Sequence, residues 1–320
     1  MMLNSPPARG PTVGRRDGPT PILLVVGFFG SGKTTLLRRI AAESRNRRLI
    51  FVVNEFSNVD VDGHLVEAAG GQAVISVAGG SIFCRCKVTE FIERLSALKS
   101  RIETEDFEGV VIEASGMADP RTMGKLLQET GLHRFYRLAR VVAVLDPARF
   151  LKLRHTLPTV GAQVQAADMI LLNKADVYPE ELLRQAEASA RELRPEAAVL
   201  RTVHCEAPFE WFPPALSPWP REGVYAARRD PHFETLRLEI GPPPDFEDLR
   251  AAVEPVRDDI YRIKGVVRGP DGIAELWEDD GRGPVRSPAP SGATPTPLVI
   301  VCRGGAAERV RAALAGVTAR

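Results

Sequence analysis

The chain has few cysteines, no long apolar run and no excess of charge of either sign. Four cysteines among 320 residues are too few for a disulfide scaffold in a chain of this length. No apolar run approaches the roughly 20 residues that span a bilayer. The 42 basic residues are balanced by 41 acidic ones, which leaves a net charge of +1. The composition therefore argues against a disulfide-rich protein, a membrane partner and a nucleic-acid partner.

Apolar residues make up 44% of the chain, which is enough for a sizeable core. Between residues 21 and 207, short apolar runs alternate with segments of helical length. This alternation predicts a doubly wound, mostly parallel α/β sheet. The predicted strands are Ile22 to Val26, Leu49 to Val53, Val110 to Ile112, Val141 to Leu145 and Met169 to Leu172.

The composition outside this region predicts the remaining organisation. Residues 1–20, rich in Pro, Gly and Arg, are expected to form a disordered leader without a signal-peptide core, so we expect a cytoplasmic protein. Residues 208–231 are dense in proline and aromatic residues and predict a linker. Residues 232–320 predict a smaller α+β domain, in which the Gly/Pro/Ser-rich stretch 279–297 is expected to be a mobile loop.

A phosphate-binding loop is predicted directly after the first strand. The segment from Gly27 to Thr34 fits G-x-x-x-x-G-K-[ST] and lies between an apolar strand and a helix-forming stretch. Glycines allow successive amides to face phosphate oxygens, while Lys33 would approach the β- and γ-phosphates and Thr34 would offer its hydroxyl to Mg²⁺. Together with the predicted parallel sheet, this loop predicts a fold of the P-loop NTPase type. The alternative is a chance glycine-rich turn. The residues assigned here to nucleotide binding are Gly27, Gly30, Ser31, Gly32, Lys33, Thr34 and Thr35, and Lys33 is also assigned to catalysis.

A base-reading tetrapeptide is predicted after the strand that ends at Leu172. Asn173 to Asp176 has the N-K-x-D pattern and lies at the carboxyl edge of the sheet, where open α/β folds bind ligands. A carboxylate accepts hydrogen bonds from guanine N1–H and from the exocyclic amine, which adenine does not present there, so GTP is favoured over ATP. We assign Asn173, Lys174 and Asp176 to nucleotide binding, and His204 as a residue that closes over the base.

A candidate magnesium-binding residue follows the strand Val110 to Ile112. Glu113 stands at its carboxyl end, and an acidic residue there can orient Mg²⁺-bound water. We therefore assign Glu113 to catalysis and, together with Thr34, to Mg²⁺ binding, directly or through water. Gly116 would allow a switch segment to move toward the γ-phosphate. An ordinary strand end followed by a helix capped by Asp119 is the alternative, and both can hold.

With these motifs, the chain resembles the CobW-type metallochaperone GTPases of the SIMIBI P-loop class, which include nitrile hydratase activator-like proteins. The resemblance extends to Val53 to Phe56, Glu113 to Pro120, Arg262 to Gly265 and Val299 to Gly304. It implies a CobW-C-like second domain. It also implies a Mg²⁺-dependent GTPase that acts as a regulator or insertase for a client metalloenzyme or cofactor-assembly protein.

The chain departs from this family at the metal motif G-C-x-C-C. Ser81 and Phe83 stand where two thiolates are expected, while Cys84 keeps its place and Cys86 adds a second sulfur. Two thiolates are half of a tetrahedral Zn²⁺ or Co²⁺ site. The other half would come from nearby side chains such as His64, or from a matching pair in a homodimer. Alternatively, both cysteines are partly buried residues of a switch loop without metal.

Three functions remain open at this point. The first is a slow GTPase that regulates a metalloenzyme client, with hydrolysis resetting the interaction. The second is a nucleotide-gated carrier that holds Zn²⁺ or Co²⁺ on Cys84 and Cys86. The third is a small-molecule kinase, against which the N-K-x-D tetrapeptide speaks. Cys205 and Cys302 lie in or beside apolar runs and are predicted to be packing residues.

Overall fold

The described part of the chain forms two sheets, one of seven strands and one of five. A computed structural model of the chain describes residues 18–55, 73–78, 88–105, 107–208, 210–213, 233–240, 245–269, 272–279, 283–289 and 295–317.

The first sheet is parallel at every described pairing. Its strands are β1 (Thr20–Val26), β2 (Leu49–Glu55), β3 (Ala73–Ala78), β4 (Gly109–Glu113), β5 (Tyr136–Leu145), β6 (Met169–Leu172) and β7 (Ala198–Arg201). Their spatial order is β3-β2-β4-β1-β5-β6-β7. The predicted doubly wound parallel sheet is therefore confirmed, and β1 lies at its centre, where the order reverses.

Helices cover both faces of this sheet. They are α1 (Lys33–Glu43), α2 (Val88–Glu105), α3 (Thr122–Glu129), α4 (Pro147–Leu153), α5 (Pro158–Gln165) and α6 (Glu180–Leu193). Side chains of β1 alternate between two cores: Ile22 and Leu24 pack in the core that includes residues of α2 to α6, and Leu23 packs in the core that includes residues of α1. Burial on both faces explains the continuous apolar runs in the sequence. We call β1 to β7 with α1 to α6 the parallel-sheet domain.

The second sheet is antiparallel. Its strands are β8 (Phe233–Leu238), β9 (Ile260–Arg268), β10 (Ala274–Asp279), β11 (Val285–Pro288) and β12 (Leu298–Arg303), in the order β11-β10-β9-β12-β8. Helices α7 (Phe246–Val253) and α8 (Ala307–Ala313) pack on one face, around Ile263, Trp277 and Ile300. The predicted α+β domain is confirmed, and we call these elements the antiparallel-sheet domain.

The structure describes parts of the two connecting segments that the sequence predicted, the loop and the linker. Within the predicted loop 279–297, Val285–Pro288 instead forms β11, because it finds hydrogen-bonding partners on β10 that composition does not reveal; the loop prediction is wrong for these residues. At the start of the predicted linker, Trp211 and Phe212 are buried against the core on the α1 side. Residue 209 and residues 214–231 of the predicted linker lie outside the described residues. None of the described helices is long and apolar enough to cross a bilayer.

Candidate functional site

The phosphate loop connects β1 to α1 and is shaped by two glycines. Gly27 and Gly32 have φ values of 145° and 112°, a region that side chains rarely tolerate. A Cβ on Gly27 would lie 2.2 Å from the Val144 carbonyl oxygen, and one on Gly32 would lie 2.3 Å from Asn173 Nδ2. Both positions therefore require glycine, since the neighbouring strand and loop leave no room for a side chain.

The Lys33 side chain contacts the backbone of this loop. Its Nζ donates to the Phe28 carbonyl oxygen at 3.3 Å and lies 3.9 Å from Glu113 Oε1, with both side chains only 7% exposed. Glu113 ends β4, which pairs with β1 and so brings the carboxylate to the loop. A buried ammonium and a buried carboxylate at one sheet edge provide attraction for phosphate and for a hard cation, respectively.

Asn173 connects three loops. Its Nδ2 donates to the Ser31 carbonyl oxygen at 3.0 Å, and its Oδ1 accepts from the Cys205 backbone N–H at 2.9 Å and from Thr202 Oγ1 at 3.3 Å. Asn173 is 3% exposed, so these bonds replace hydration that the amide has lost. The side chain joins the phosphate loop to the two loops expected to surround the base.

Lys174 braces the same loop from another side. Its backbone has φ 64°, and its Nζ donates to the Gly30 carbonyl oxygen at 2.6 Å and lies 3.1 Å from Asp146 Oδ2. Asp146 also accepts from Tyr178 Oη at 2.7 Å. At the end of β5, Asp146 caps α4 through the Arg149 backbone N–H. The lysine therefore supports the phosphate loop through a buried carboxylate.

Asp176 and His204 differ from Asn173 in that both are exposed. His204 and Cys205 have left-handed φ values of 49° and 59°, which turn their loop back toward the phosphate loop. There the Cys205 Sγ lies 3.5 Å from the Gly32 carbonyl oxygen. The interior residues of these loops fix their shape, while Asp176 and His204 remain available to a ligand.

A cavity of about 600 Å³ lies between these loops and the antiparallel-sheet domain, a volume typical of small-molecule sites. The parallel-sheet domain contributes Gly30, Gly32, Lys33, Thr34, Thr35, Arg38, Glu113, Asn173, Lys174, Asp176, Val177 and His204. The antiparallel-sheet domain contributes Arg262, Ile263, Lys264, Leu276, Glu278, Asp279, Ser287 and Pro288. Ten predicted nucleotide or magnesium residues thus line one cavity. Gly27 and Ser31 do not line it, and both are buried.

The segment after Glu113 is held by a buried glutamine. Gln163 Nε2 donates to the carbonyl oxygens of Gly116 and Ala118 at 3.0 and 3.2 Å, and Gln163 is fully buried. Helix α3 begins at Thr122, and Asp119 instead accepts from the Arg121 backbone N–H. The prediction that Asp119 caps this helix is wrong, because the chain makes a further turn before the helix begins.

Sequence reasoning missed Arg149, which joins the two domains. Its guanidinium donates to the Phe29 carbonyl oxygen at 2.9 Å and to the Tyr261 carbonyl oxygen at 3.1 Å. It also lies over the Phe28 ring, 5.2 Å from the centroid, and the Phe28 and Tyr261 rings meet edge to face at 5.5 Å. The only local signal was its place three residues after the strand-end Asp146.

The cysteines divide into two groups. Cys205 and Cys302 are buried, in agreement with the prediction of packing, and burial raises their thiol pKa values to about 12 and about 11. Cys84 and Cys86, the predicted metal ligands, lie outside the described residues, as does His64. Within the described residues no group of three or more His, Cys, Asp or Glu side chains could hold a metal ion.

The chain matches a protein family and is similar to several known proteins. Residues 21–201 match the family model described as CobW/HypB/UreG, nucleotide-binding domain. The chain is 33% identical over 168 residues to the zinc chaperone YjiA of Escherichia coli, covering 51% of each chain. It is 28% identical over 220 residues to the zinc chaperone CobW of Pseudomonas aeruginosa, covering 59% of this chain and 58% of that one.

The chain therefore spans about half the length of these relatives. Among solved structures, Zn(II)-bound YjiA GTPase from E. coli is similar over 95% of this chain and 100% of that chain, at 23% identity and a TM-score of 0.44. The family match covers more than half of the chain and includes the phosphate loop, Glu113 and the N-K-x-D tetrapeptide. The chain belongs to the CobW/HypB/UreG nucleotide-binding domain family.

Proposed function

We propose that this chain binds and hydrolyses GTP with Mg²⁺, and that its nucleotide state regulates metal delivery to a client metalloenzyme or cofactor-assembly protein. The observation that carries the proposal is the convergence of Lys33, Glu113 and Asp176 on one cavity. A phosphate-binding cation, a carboxylate suited to magnesium and a carboxylate suited to guanine are thus available to one ligand. Family membership supports the same reading.

On the phosphate side, Lys33 would place its ammonium on the β- and γ-phosphates in exchange for its present contact with Phe28. Thr34 and Glu113, which line the cavity beside it, would hold Mg²⁺ directly or through water. The donor set fits, because a hydroxyl and a carboxylate are the oxygen ligands that Mg²⁺ prefers. When bound, Mg²⁺ would neutralise part of the charge on the phosphate oxygens.

On the base side, Asp176 would accept hydrogen bonds from guanine N1–H and from the exocyclic amine. Its carboxylate is exposed to the cavity, whereas Asn173 and Lys174 use their polar atoms to hold the surrounding loops. His204 would cover the base from the neighbouring loop. In this arrangement one residue selects the base, and its neighbours fix its position.

Turnover by the chain alone should be slow. No glutamine lines the described part of the cavity, and Gln163 uses its amide to hold backbone carbonyls. A residue that orients the attacking water is a recurring part of fast GTP hydrolysis. We therefore propose that a client supplies the stimulus and that hydrolysis resets the interaction.

The metal cargo is a separate part of the proposal. Two relatives are named zinc chaperones, which supports Zn²⁺ as cargo, with Co²⁺ as the alternative. Cys84 and Cys86 are the proposed ligands, and they would carry the metal in the GTP-bound state.

The nucleotide part is tested by measuring affinity for a non-hydrolysable GTP analogue, GDP and ATP, together with GTP turnover, in the presence of Mg²⁺. Lys33→Ala should abolish binding or turnover, because it removes the cation that faces the phosphates. Lys125→Ala, at a half-buried lysine of α3 that pairs with Glu129 and does not line the cavity, is the matched control and should change neither. Full GTP turnover by Lys33→Ala would contradict the assignment of the phosphate loop.

The metal part is tested with a double variant, Cys84→Ser with Cys86→Ser. Zn²⁺ and Co²⁺ affinities are measured with and without Mg²⁺ and the GTP analogue. The other two thiols should not interfere, because burial raises their pKa values and keeps them protonated near neutral pH. Tight binding that requires the GTP analogue and is lost in the double variant would support a metallochaperone. Equal metal affinity in both proteins would rule out this cysteine pair as the carrier.

A further inference from the structure

The antiparallel sheet turns one of its faces toward the phosphate loop. On β12, Ile300 packs among α7 and α8, whereas its neighbour Val301 points the other way and joins a core of the parallel-sheet domain. Val301 is paired with Arg262 and Val299 with Lys264. Because directly paired residues project from the same face of a sheet, Arg262 and Lys264 lie on the face toward the parallel-sheet domain.

Arg262 is held close to the phosphate loop by its covalent neighbour. The Tyr261 carbonyl, which is bonded to the Arg262 nitrogen, accepts from Arg149 at 3.1 Å, and Arg149 donates in turn to the Phe29 carbonyl at 2.9 Å. Phe29 immediately precedes Gly30, which lines the cavity together with Arg262. Two hydrogen bonds through one guanidinium thus link the backbone beside Arg262 to the loop that would hold the phosphates.

The two cations on this face differ in position and in chemistry. Lys264 is paired across the sheet with Glu278. Arg262 adjoins Tyr261, whose ring packs on Phe28 of the phosphate loop. A guanidinium presents two parallel N–H groups that match phosphate oxygens, whereas an ammonium acts as a point charge. Of the two residues, Arg262 is the better suited to a phosphate.

We propose that Arg262 of the antiparallel-sheet domain binds the γ-phosphate of GTP held on the phosphate loop, with Lys264 beside it. This inference rests on the proposed function and adds a residue that distinguishes GTP from GDP. It also gives a physical role to the segment from Arg262 to Gly265, which had entered the sequence analysis only as part of the family resemblance. The antiparallel-sheet domain would then respond to the nucleotide state through direct contact with the phosphate that hydrolysis removes.

The test compares affinities of the full chain for a non-hydrolysable GTP analogue and for GDP, both with Mg²⁺. Arg262→Ala should weaken binding of the analogue about 10- to 100-fold, as expected for hydrogen bonds to a charged group, and should weaken GDP less than about threefold. Arg262→Lys should give an intermediate loss of affinity for the analogue, because it keeps the positive charge and loses the two parallel N–H groups of the guanidinium. Arg268→Ala is the matched control: it removes an arginine of the same strand that does not line the cavity.

The outcomes separate this inference from the function on which it rests. Retained GDP binding by Arg262→Ala shows that the phosphate loop is still folded, so a selective loss of the analogue supports the inference. Equal losses for analogue and GDP, or affinities no different from those of Arg268→Ala, overturn it while the proposed function stands. If the unaltered chain binds neither guanine nucleotide, both the proposed function and the inference are overturned.

Discussion

The two walls of the cavity are built in different ways. The wall from the parallel-sheet domain is cross-linked by buried polar side chains: Asn173 joins three loops, and Lys174 connects Gly30 to Asp146. The wall from the antiparallel-sheet domain is a sheet face that carries the half-buried Arg262 and Lys264. In the first wall the shape depends on these polar contacts, whereas in the second the paired strands supply the shape.

This difference predicts which changes affect stability and which affect only binding. Removing a buried cross-link leaves polar groups without partners, and this costs both folding free energy and site geometry. Removing an exposed group that only a ligand would contact should leave stability nearly unchanged. Three of the four predictions below compare buried and exposed groups of the first wall, and one tests the contact between the two domains.

Asn173→Ala should have the largest effect. It leaves the Ser31 carbonyl, the Cys205 N–H and the Thr202 hydroxyl without their partner, at about 1–3 kcal/mol for each buried group. We expect the free energy of unfolding in urea to fall by about 3 kcal/mol and affinity for GTP and GDP to fall together, about 100-fold. Asn46→Ala, at an exposed asparagine in the turn after α1, is the control. Unaltered stability of the Asn173 variant would mean that the three loops hold their shape without it.

Asp176→Asn should change nucleotide preference without changing stability. The carboxylate is exposed, so the free energy of unfolding should change by less than about 0.5 kcal/mol. GTP affinity should fall about 30-fold, since one of two hydrogen bonds to guanine becomes unfavourable. Xanthosine triphosphate should bind better, because the amide can donate to the oxygen that replaces the guanine amine. A GTP to xanthosine triphosphate preference equal to that of the unaltered chain would show that another residue reads the base.

The sequence was sufficient to predict the ligand-facing residues of the first wall, because these residues follow the ends of strands. Gly27 to Thr34, Glu113 and Asn173 to Asp176 all stand at the carboxyl ends of apolar runs, and parallel strands bring such ends to one edge. Their convergence on one cavity could therefore be predicted from local patterns alone. The local sequence motif also indicated that glycine is needed in the phosphate loop. The cause, which is close contact with Val144 and Asn173, is visible only in the folded chain.

The second wall could not be predicted in the same way. Arg262 was recognised only as part of a resemblance, because its approach to the phosphate loop depends on how two domains pack. That packing uses Arg149, 112 positions away from Tyr261 in the chain, and no local pattern encodes a pairing at such a distance. The pairing of β11 with β10 inside a Gly/Pro/Ser-rich stretch was hidden for the same reason, since composition does not report hydrogen-bonding partners.

Arg149→Ala tests the joint between the walls. The guanidinium donates to one carbonyl from each domain and packs on the Phe28 ring. We expect the free energy of unfolding to fall by about 2 kcal/mol. Lys152→Ala is the control across the same interface: its ion pair with Asp258 has side chains 75% and 95% exposed, so its loss should cost well under about 1 kcal/mol. Equal effects of the two substitutions would mean that Arg149 does not stabilise the domain contact.

The smallest effect concerns Cys205, whose thiol packs against the phosphate loop at the back of the first wall. Burial raises its pKa from 9.0 to about 12, so between these values the folded chain keeps a proton that the unfolded chain releases. The free energy of unfolding should therefore fall as pH rises through this window, while below it the contribution is constant. From about pH 8 to about pH 10, the unaltered chain should lose about 1 kcal/mol more than Cys205→Ala does. Urea unfolding of both proteins at the two pH values measures this difference. An identical pH dependence would show that the Cys205 thiol is hydrated in the folded chain. The first wall would then be less closely packed than its hydrogen bonds indicate.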